Sequence, residues 1–421
     1  MRNGIYTMLK RHQQLLFISL AVLEIFLPSI MAGVCFVDDV QMFKELLHVR
    51  EWNLKGIFSP TGGIYFRPLL ALSFILDREI WLLNERIMHF ENVVFHLLNI
   101  AIVYNLALQL LPENEREESY SPLIAALCFG LHPINTESVN WISGRSDVMA
   151  GTFVLLSALY LVKFKMGYKR RFLLFSLLSL ILGVLTKEVA MAFIPAAFFI
   201  IVARDSNTSV AKTHNNKTNI KPLMAACLLL AILTVLASLY FVARHHILSS
   251  TTSSSLGKTI NAISSDPSNS LFVCLRAFGF YMKKLFAPLP LDFTIREVDP
   301  LYELFALPVL LLCLFIAIKR TLLSALFTAS ILLITPSLLI AFGNIAWMPY
   351  AERYVYVSSA FIIIPSVFYI REKAASLTSR TTIKACVPAL IILMSVITLE
   401  RNIYWMKTTA PYDKVKVLVE K

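Results

Sequence analysis

The chain has 421 residues, of which 57% are hydrophobic and only 16% charged. Soluble domains carry roughly 25% charged residues, so a soluble globular protein is excluded and an all-α integral membrane protein is expected. In such a chain the formal net charge of +12 points to basic cytoplasmic loops and contact with anionic membrane lipids, not to nucleic acid. The six cysteines are scattered, with no CxxC or Cys/His spacing, so neither a zinc site nor a disulfide framework is expected.

Apolar runs long enough to cross a bilayer, roughly 18 residues or more, recur along the whole length. Arg2, Lys10 and Arg11 precede the first, about Leu15 to Val37, and place this end in the cytoplasm. The run is too long for a signal-peptide core and no small-residue cleavage pattern follows, so it is read as a retained span. It ends at Phe36-Val37-Asp38-Asp39-Val40. A helix C-terminus is partly negative and disfavours carboxylates, so capping does not account for the pair. Asp38, with Asp39 beside it, is expected to be an acid/base centre at the membrane surface. The plainer alternative is a solvated pair that keeps the helix from sliding into lipid.

An external segment follows to about Arg86, with Gly62-Gly63 and Tyr65-Phe66-Arg67-Pro68-Leu69. Leu70 to Leu83 is apolar but interrupted by Asp77, Arg78 and Glu79, and reads as an interfacial helix. In the second span, about Met88 to Leu111, His89, Asn92, His96 and Asn99 fall on one helical face. Such groups face other helices or a wet cavity; interhelical hydrogen bonding is the plain alternative to a functional role. A short acidic turn, Pro112 to Tyr120, precedes the third span, about Pro122 to Leu131. That span runs into a polar external stretch, His132 to Asp147, carrying Glu137 and Arg145. The fourth span, Val148 to Val162, ends at Lys163, Lys165, Lys169, Arg170 and Arg171, the strongest basic cluster, hence cytoplasmic.

The fifth and sixth spans, about Phe172 to Leu185 and Val189 to Ala203, are separated by an external Thr186-Lys187-Glu188. Arg204 to Pro222 is basic and cytoplasmic, so its sequons at Asn207 and Asn216 should go unused. The seventh span, Leu223 to Val242, leads out to Arg244-His245-His246. Lys319 and Arg320 close a good span at Leu301 to Ile318, which puts Asp299 outside. By parity Ser270 to Leu291, with Lys283, Lys284, Pro288 and Pro290, cannot cross once and is read as re-entrant or surface-lying. Leu322 to Phe342, Tyr354 to Ile370 and Ala385 to Leu399 complete about eleven spans, N-terminus inside. Residues 1–400 form one multi-span domain, with external segments at 38–87 and 244–300 and a short external tail at 401–421.

This topology puts Asp38, Asp39, Arg67, His89, His132, Glu137, Arg145, Asp147, Lys187, Glu188, Glu352 and Arg353 on the external side or on helix ends beside it. Carboxylates facing fixed cations suit moving a group off a phosphate. Arginine and lysine stabilise the anionic leaving group, and a carboxylate takes a proton from the attacking hydroxyl. Taken singly, any of these is readily an interfacial charge or an ion pair, and Glu188 beside Lys187 or Glu352 beside Arg353 can neutralise one another.

The stretch His132-Pro-Ile-Asn-Thr-Glu137-Ser-Val-Asn-Trp-Ile-Ser-Gly144-Arg145-Ser-Asp147 resembles the most recognisable motif of the transmembrane and tetratricopeptide-repeat O-mannosyltransferases. Phe36-Val-Asp38-Asp39, Tyr65-Phe-Arg67-Pro68-Leu69, His89 with Asn92 and His96, Lys187-Glu188, Tyr281 to Asp292, and Glu352-Arg353-Tyr354 also match in order. The likeness covers about Phe36 to Arg401. It implies a GT-C-type bundle that takes a sugar from a polyprenyl-phosphate carrier on the non-cytoplasmic side and passes it, with inversion, to a hydroxyl. Asp38 occupies the position of the expected base and Asp39 assists. Arg67, Arg145 and Arg353 are implied donor-phosphate or substrate contacts, and His89, His96 and His132 would shape the pocket. A lipid-linked sugar is the donor. Divalent metals serve relatives with lipid-pyrophosphate donors and mostly not the O-mannosyl branch, so the resemblance leaves a metal open without requiring one. The family's eukaryotic members continue into a repeat array that this sequence lacks. That leaves a protein or a glycolipid as acceptor, and favours a bacterial or archaeal plasma membrane. The competing readings are a transporter or lipid-carrier flippase, which calls for inverted repeats and mid-membrane polar groups, and a non-catalytic scaffold.

Overall fold

The structure, a computed structural model, describes residues 2–48, 66–204, 222–248, 261, 263–343, 346, 348–376 and 380–412. The sequons at Asn207 and Asn216, the Gly62-Gly63 pair and the last residues of the tail lie outside the described residues. The described chain is helical, and pairing outside helices is limited to isolated bridges: Val34 with Ala410, Arg204 with Thr321, and Ile295 with Tyr350.

In chain order the helices are α1 (Arg2–Ile30), α2 (Asp39–His48), α3 (Pro68–Trp81), α4 (Glu85–Gln109), α5 (Ser121–Gly130), α6 (Thr136–Asn140), α7 (Arg145–Lys165), α8 (Arg171–Thr186) and α9 (Phe193–Val202). They continue as α10 (Pro222–Leu248), α11 (Pro267–Phe286), α12 (Leu301–Ile318), α13 (Leu322–Gly343), α14 (Tyr356–Ser376) and α15 (Arg380–Thr408). Among the described residues, seven stretches are long and apolar enough to cross a membrane, and there are four shorter apolar helices, Ser121–Gly130, Arg171–Thr186, Glu188–Val202 and Leu230–Arg244. The chain is thus a multi-pass helical membrane protein.

Local chemistry sets the boundaries. Pro68 sits in the first turn of α3, where its missing N–H costs nothing. That helix stops at Leu82 and Leu83, both left-handed, with φ of 52° and 56°. Asn84 then caps α4, its side-chain oxygen accepting from the N–H groups of Arg86 and Ile87. The layering follows burial. In the candidate spans Ile142–Lys165 and Glu352–Lys373, 72% and 78% of the apolar window is buried, against 11% for Leu301–Ile318 and Ala385–Thr408. Helices α4, α7 and α14 therefore form the interior, and α12 and α15 the rim, whose exposed Leu, Ile and Phe side chains suit lipid contact. Gly279 lets α11 lie directly on α12, because a Cβ there would collide with the Tyr302 carbonyl.

One sequence expectation changes. The first helix ends at Ile30, not near Val37, so Asp38 and Asp39 do not close it. They open α2, whose first residue is Asp39, and whose partly positive end favours a carboxylate. Ser270 to Leu291, expected to be re-entrant or surface-lying, is helical in its first part, which belongs to the 20-residue helix α11, whose residues from Ala277 to Leu285 are largely buried. A non-helical tail with a cis Leu289-Pro290 bond follows.

Candidate functional site

The Asp38 turn comes first. Asp38 has φ of 61°, a left-handed conformation that aspartate tolerates better than most residues. Its carbonyl accepts the first bond of α2, from the Met42 N–H at 2.9 Å, and its side chain is exposed. Asp39 differs in every respect. It is fully buried. One carboxylate oxygen accepts from the Ser143 N–H (2.9 Å) and hydroxyl (2.5 Å), the other from the Cys35 N–H (3.0 Å). Burial pushes its carboxyl up to about 7, and the neighbouring Asp38 adds to this against the three hydrogen bonds. Asp39 thus fastens the turn to the start of α7, and the Trp141 indole, donating to the Val37 carbonyl at 3.1 Å, fastens it again.

Behind this turn lies a chain of buried and half-buried ion pairs. Glu137 accepts from the Arg353 guanidinium and from its backbone N–H, the latter at 3.1 Å. The Arg353 guanidinium is stacked over Trp141 (4.6 Å) and Tyr354 (4.9 Å). Burial raises the Glu137 carboxyl, against the pull of Arg353. Lys187 donates to Asp147 at 2.6 Å; burial lowers its ammonium, and Arg67 and Arg353 are both close enough to add to that shift. Arg67 makes a two-pronged contact with Glu188, at 2.8 and 2.9 Å. Lys284 meets Glu352 at 2.5 Å, and the Asp292 N–H donates to the same oxygen. The segments join electrostatically: Cys35 feels Asp38, Asp39 and Glu137, and Glu137 feels Arg353 and Asp147. Most of these charges are buried. Asp147 Oδ2 and Glu352 Oε2 are buried without a hydrogen-bond partner among the described residues.

The remaining expected residues are placed otherwise. Arg145 is completely buried, and all three guanidinium nitrogens are engaged. They bond Asp77 (2.5 Å), Asn92 (3.2 Å) and the Met88 carbonyl (3.1 Å), with Glu91 at 2.8 Å and the Phe74 ring at 4.7 Å. This cation ties α3 and α4 to α7. Burial raises the Asp77 carboxyl to about 7 against the pull of Arg145, Glu91 adding to the rise.

The polar face of α4 is buried as the spacing implied. Asn92 donates to the Trp141 carbonyl at 2.8 Å. His96 donates through Nε2 to the Gly130 carbonyl and accepts at Nδ1 from the Tyr356 hydroxyl, which itself accepts from Asn99. His89 donates from Nε2 to the Gly33 carbonyl at 3.0 Å. His132 donates to the Leu285 carbonyl, and burial lowers its imidazole to about 4, so it stays neutral. These bonds join helices; in His96 and His132 both ring nitrogens are used.

Sequence reasoning missed Asp77, Ser143 and Lys284. A charge inside an apolar helix signalled Asp77, and two lysines ending an amphipathic helix signalled Lys284. Ser143 carried no signal. Among the described residues no group of three or more His, Cys, Asp or Glu side chains is arranged to hold a metal ion.

No family model matches the chain. Over 151 residues, 34% of the chain, it is 32% identical to Protein O-mannosyl-transferase TMTC2 of Mus musculus, and equally to that of Homo sapiens; the match covers 18% of each relative. It is 32% identical over 100 residues to Protein O-mannosyl-transferase TMTC3 of Mus musculus, covering 24% of the chain and 10% of the relative. The chain is thus similar to these O-mannosyltransferases over about a third of its length and matches less than a fifth of theirs.

Proposed function

We propose that the chain is a membrane glycosyltransferase of GT-C type that moves a mannose-like hexose from a polyprenyl-phosphate carrier to a hydroxyl on the external face. The name shared by its relatives supports sugar transfer to protein, and a protein is the favoured acceptor. The observation that carries the reading is the Asp38 turn. An exposed carboxylate stands on a left-handed turn, held by the buried Asp39 next to a chain of buried and half-buried ion pairs drawn from five distant segments.

In this reading the acceptor oxygen attacks the anomeric carbon from the face opposite the phosphate, so configuration inverts. The carbon–phosphate-oxygen bond breaks as the new bond forms. Asp38 takes the hydroxyl proton, and the charge left on the polyprenyl phosphate is balanced by Arg67, Lys187 and Arg353. Arg145, His96 and His132 hold the frame. Purified protein in liposomes, given polyprenyl-phosphate mannose with labelled sugar and an acceptor peptide, should yield a covalent glycopeptide. Label crossing the bilayer with no covalent product would favour a flippase instead.

A further inference from the structure

We infer that the segment following α15, Thr409–Tyr412, positions Asp38, an inference that rests on the glycosyl-transfer reading above. The segment grips both flanks of the Asp38 turn. Upstream, the Val34 N–H donates to the Ala410 carbonyl (2.8 Å), and the Ala410 N–H donates back to Val34 (3.3 Å). The Gly33 N–H donates to the Thr409 hydroxyl at 2.8 Å. The approach is so close that only glycine fits at 33, since a Cβ there would strike the Ala410 carbonyl. Downstream, the Tyr412 ring packs on Phe43 of α2 at 4.9 Å. Ala410 and Tyr412 lie against the apolar cluster of Val34, Phe43, Leu46 and Leu70. Asp38 falls between the two grips.

Aspartate tolerates the left-handed region, but where its carboxylate is held depends on the restraints around the turn. The inner restraints, from Ser143 and Trp141, belong to the core. The outer restraint comes from a segment 376 positions away in sequence. Losing it leaves the inner restraints to hold the turn alone, and the carboxylate is then free to leave the line of attack. A displacement of about 1 Å costs on the order of 100-fold in rate.

The test compares Thr409→Val, which keeps the shape and removes the acceptor of the Gly33 N–H, with Tyr412→Ala and Thr409→Ser. Two quantities are read per folded molecule in nanodiscs. One is backbone hydrogen exchange over residues 33–43, and the other is kcat and donor KM with polyprenyl-phosphate mannose. Thr409→Val and Tyr412→Ala should speed exchange there about 10-fold and lower kcat about 10- to 100-fold, with donor KM within about 2-fold. Thr409→Ser should restore both. Unchanged exchange in both variants overturns the inference whatever the activity, and faster exchange with wild-type kcat overturns it too. Asp38→Asn runs alongside: wild-type turnover there removes the proposed base, an outcome separate from any result on the exchange readout.

Discussion

Arg145→Met tests whether this arginine is a frame element or a substrate contact. The substitution removes the only cation bonded to Asp77 among the described residues and leaves that carboxylate, 2% exposed, beside Glu91. Breaking a buried pair by deleting one partner costs about 3–5 kcal/mol, because the surviving charge is left without compensation. Asp77→Asn should cost less, about 1–3 kcal/mol, because Arg145 keeps Glu91, Asn92 and the Met88 carbonyl. Arg145→Met combined with Asp77→Leu replaces the pair by apolar packing. It should be more stable than Arg145→Met alone, with a coupling of about 1–3 kcal/mol. The assay is unfolding by SDS titration in mixed micelles, followed by tryptophan fluorescence. An Arg145→Met protein as stable as the parent, with a raised donor KM, would refute the reasoning and return Arg145 to the phosphate.

Asp39 gives a pH signature. Its native carboxyl holds a proton up to about 7, while an unfolded aspartate releases it near ~3.9. Between those values the native state binds more protons, so this group's contribution to stability falls as pH rises. The stability difference between wild type and Asp39→Asn should therefore decline from pH 4 to 7; a flat difference contradicts the burial argument. Glu137→Gln leaves the buried Arg353 with a neutral partner and should lower stability by about 1–3 kcal/mol; no change in the SDS midpoint would deny that pair its place in the core. Gly279→Ala drives a methyl into the Tyr302 carbonyl and should cost about 1–3 kcal/mol by forcing α11 off α12. A wild-type midpoint in that variant would mean the two helices are not in contact there.

Much of the helical plan was legible in the sequence, because hydrophobic run length is a local property. Each expected apolar run overlaps a helix, and the four-residue polar face of α4 is buried as its spacing implied. What the sequence hid is pairing. His89, Asn92, His96 and Asn99 announce a buried face, but nothing nearby says that Asn92 meets Arg145 or that His96 meets Tyr356. Asp77 looked like an interruption of an interfacial helix until Arg145, 68 positions later, supplied its charge. The end of α1 was misjudged because Met31 to Val37 is as apolar as the helix before it. Hydropathy does not register the backbone break, which moved the aspartates from the end of one helix to the start of the next.

The most direct measurement is single-turnover transfer from polyprenyl-phosphate mannose by wild type and Asp38→Asn, with matched folded fractions. The account predicts a loss of at least about 100-fold with unchanged stability, since the exposed Asp38 side chain is the proposed base and supports no packing. Transfer by Asp38→Asn at the wild-type rate would contradict it.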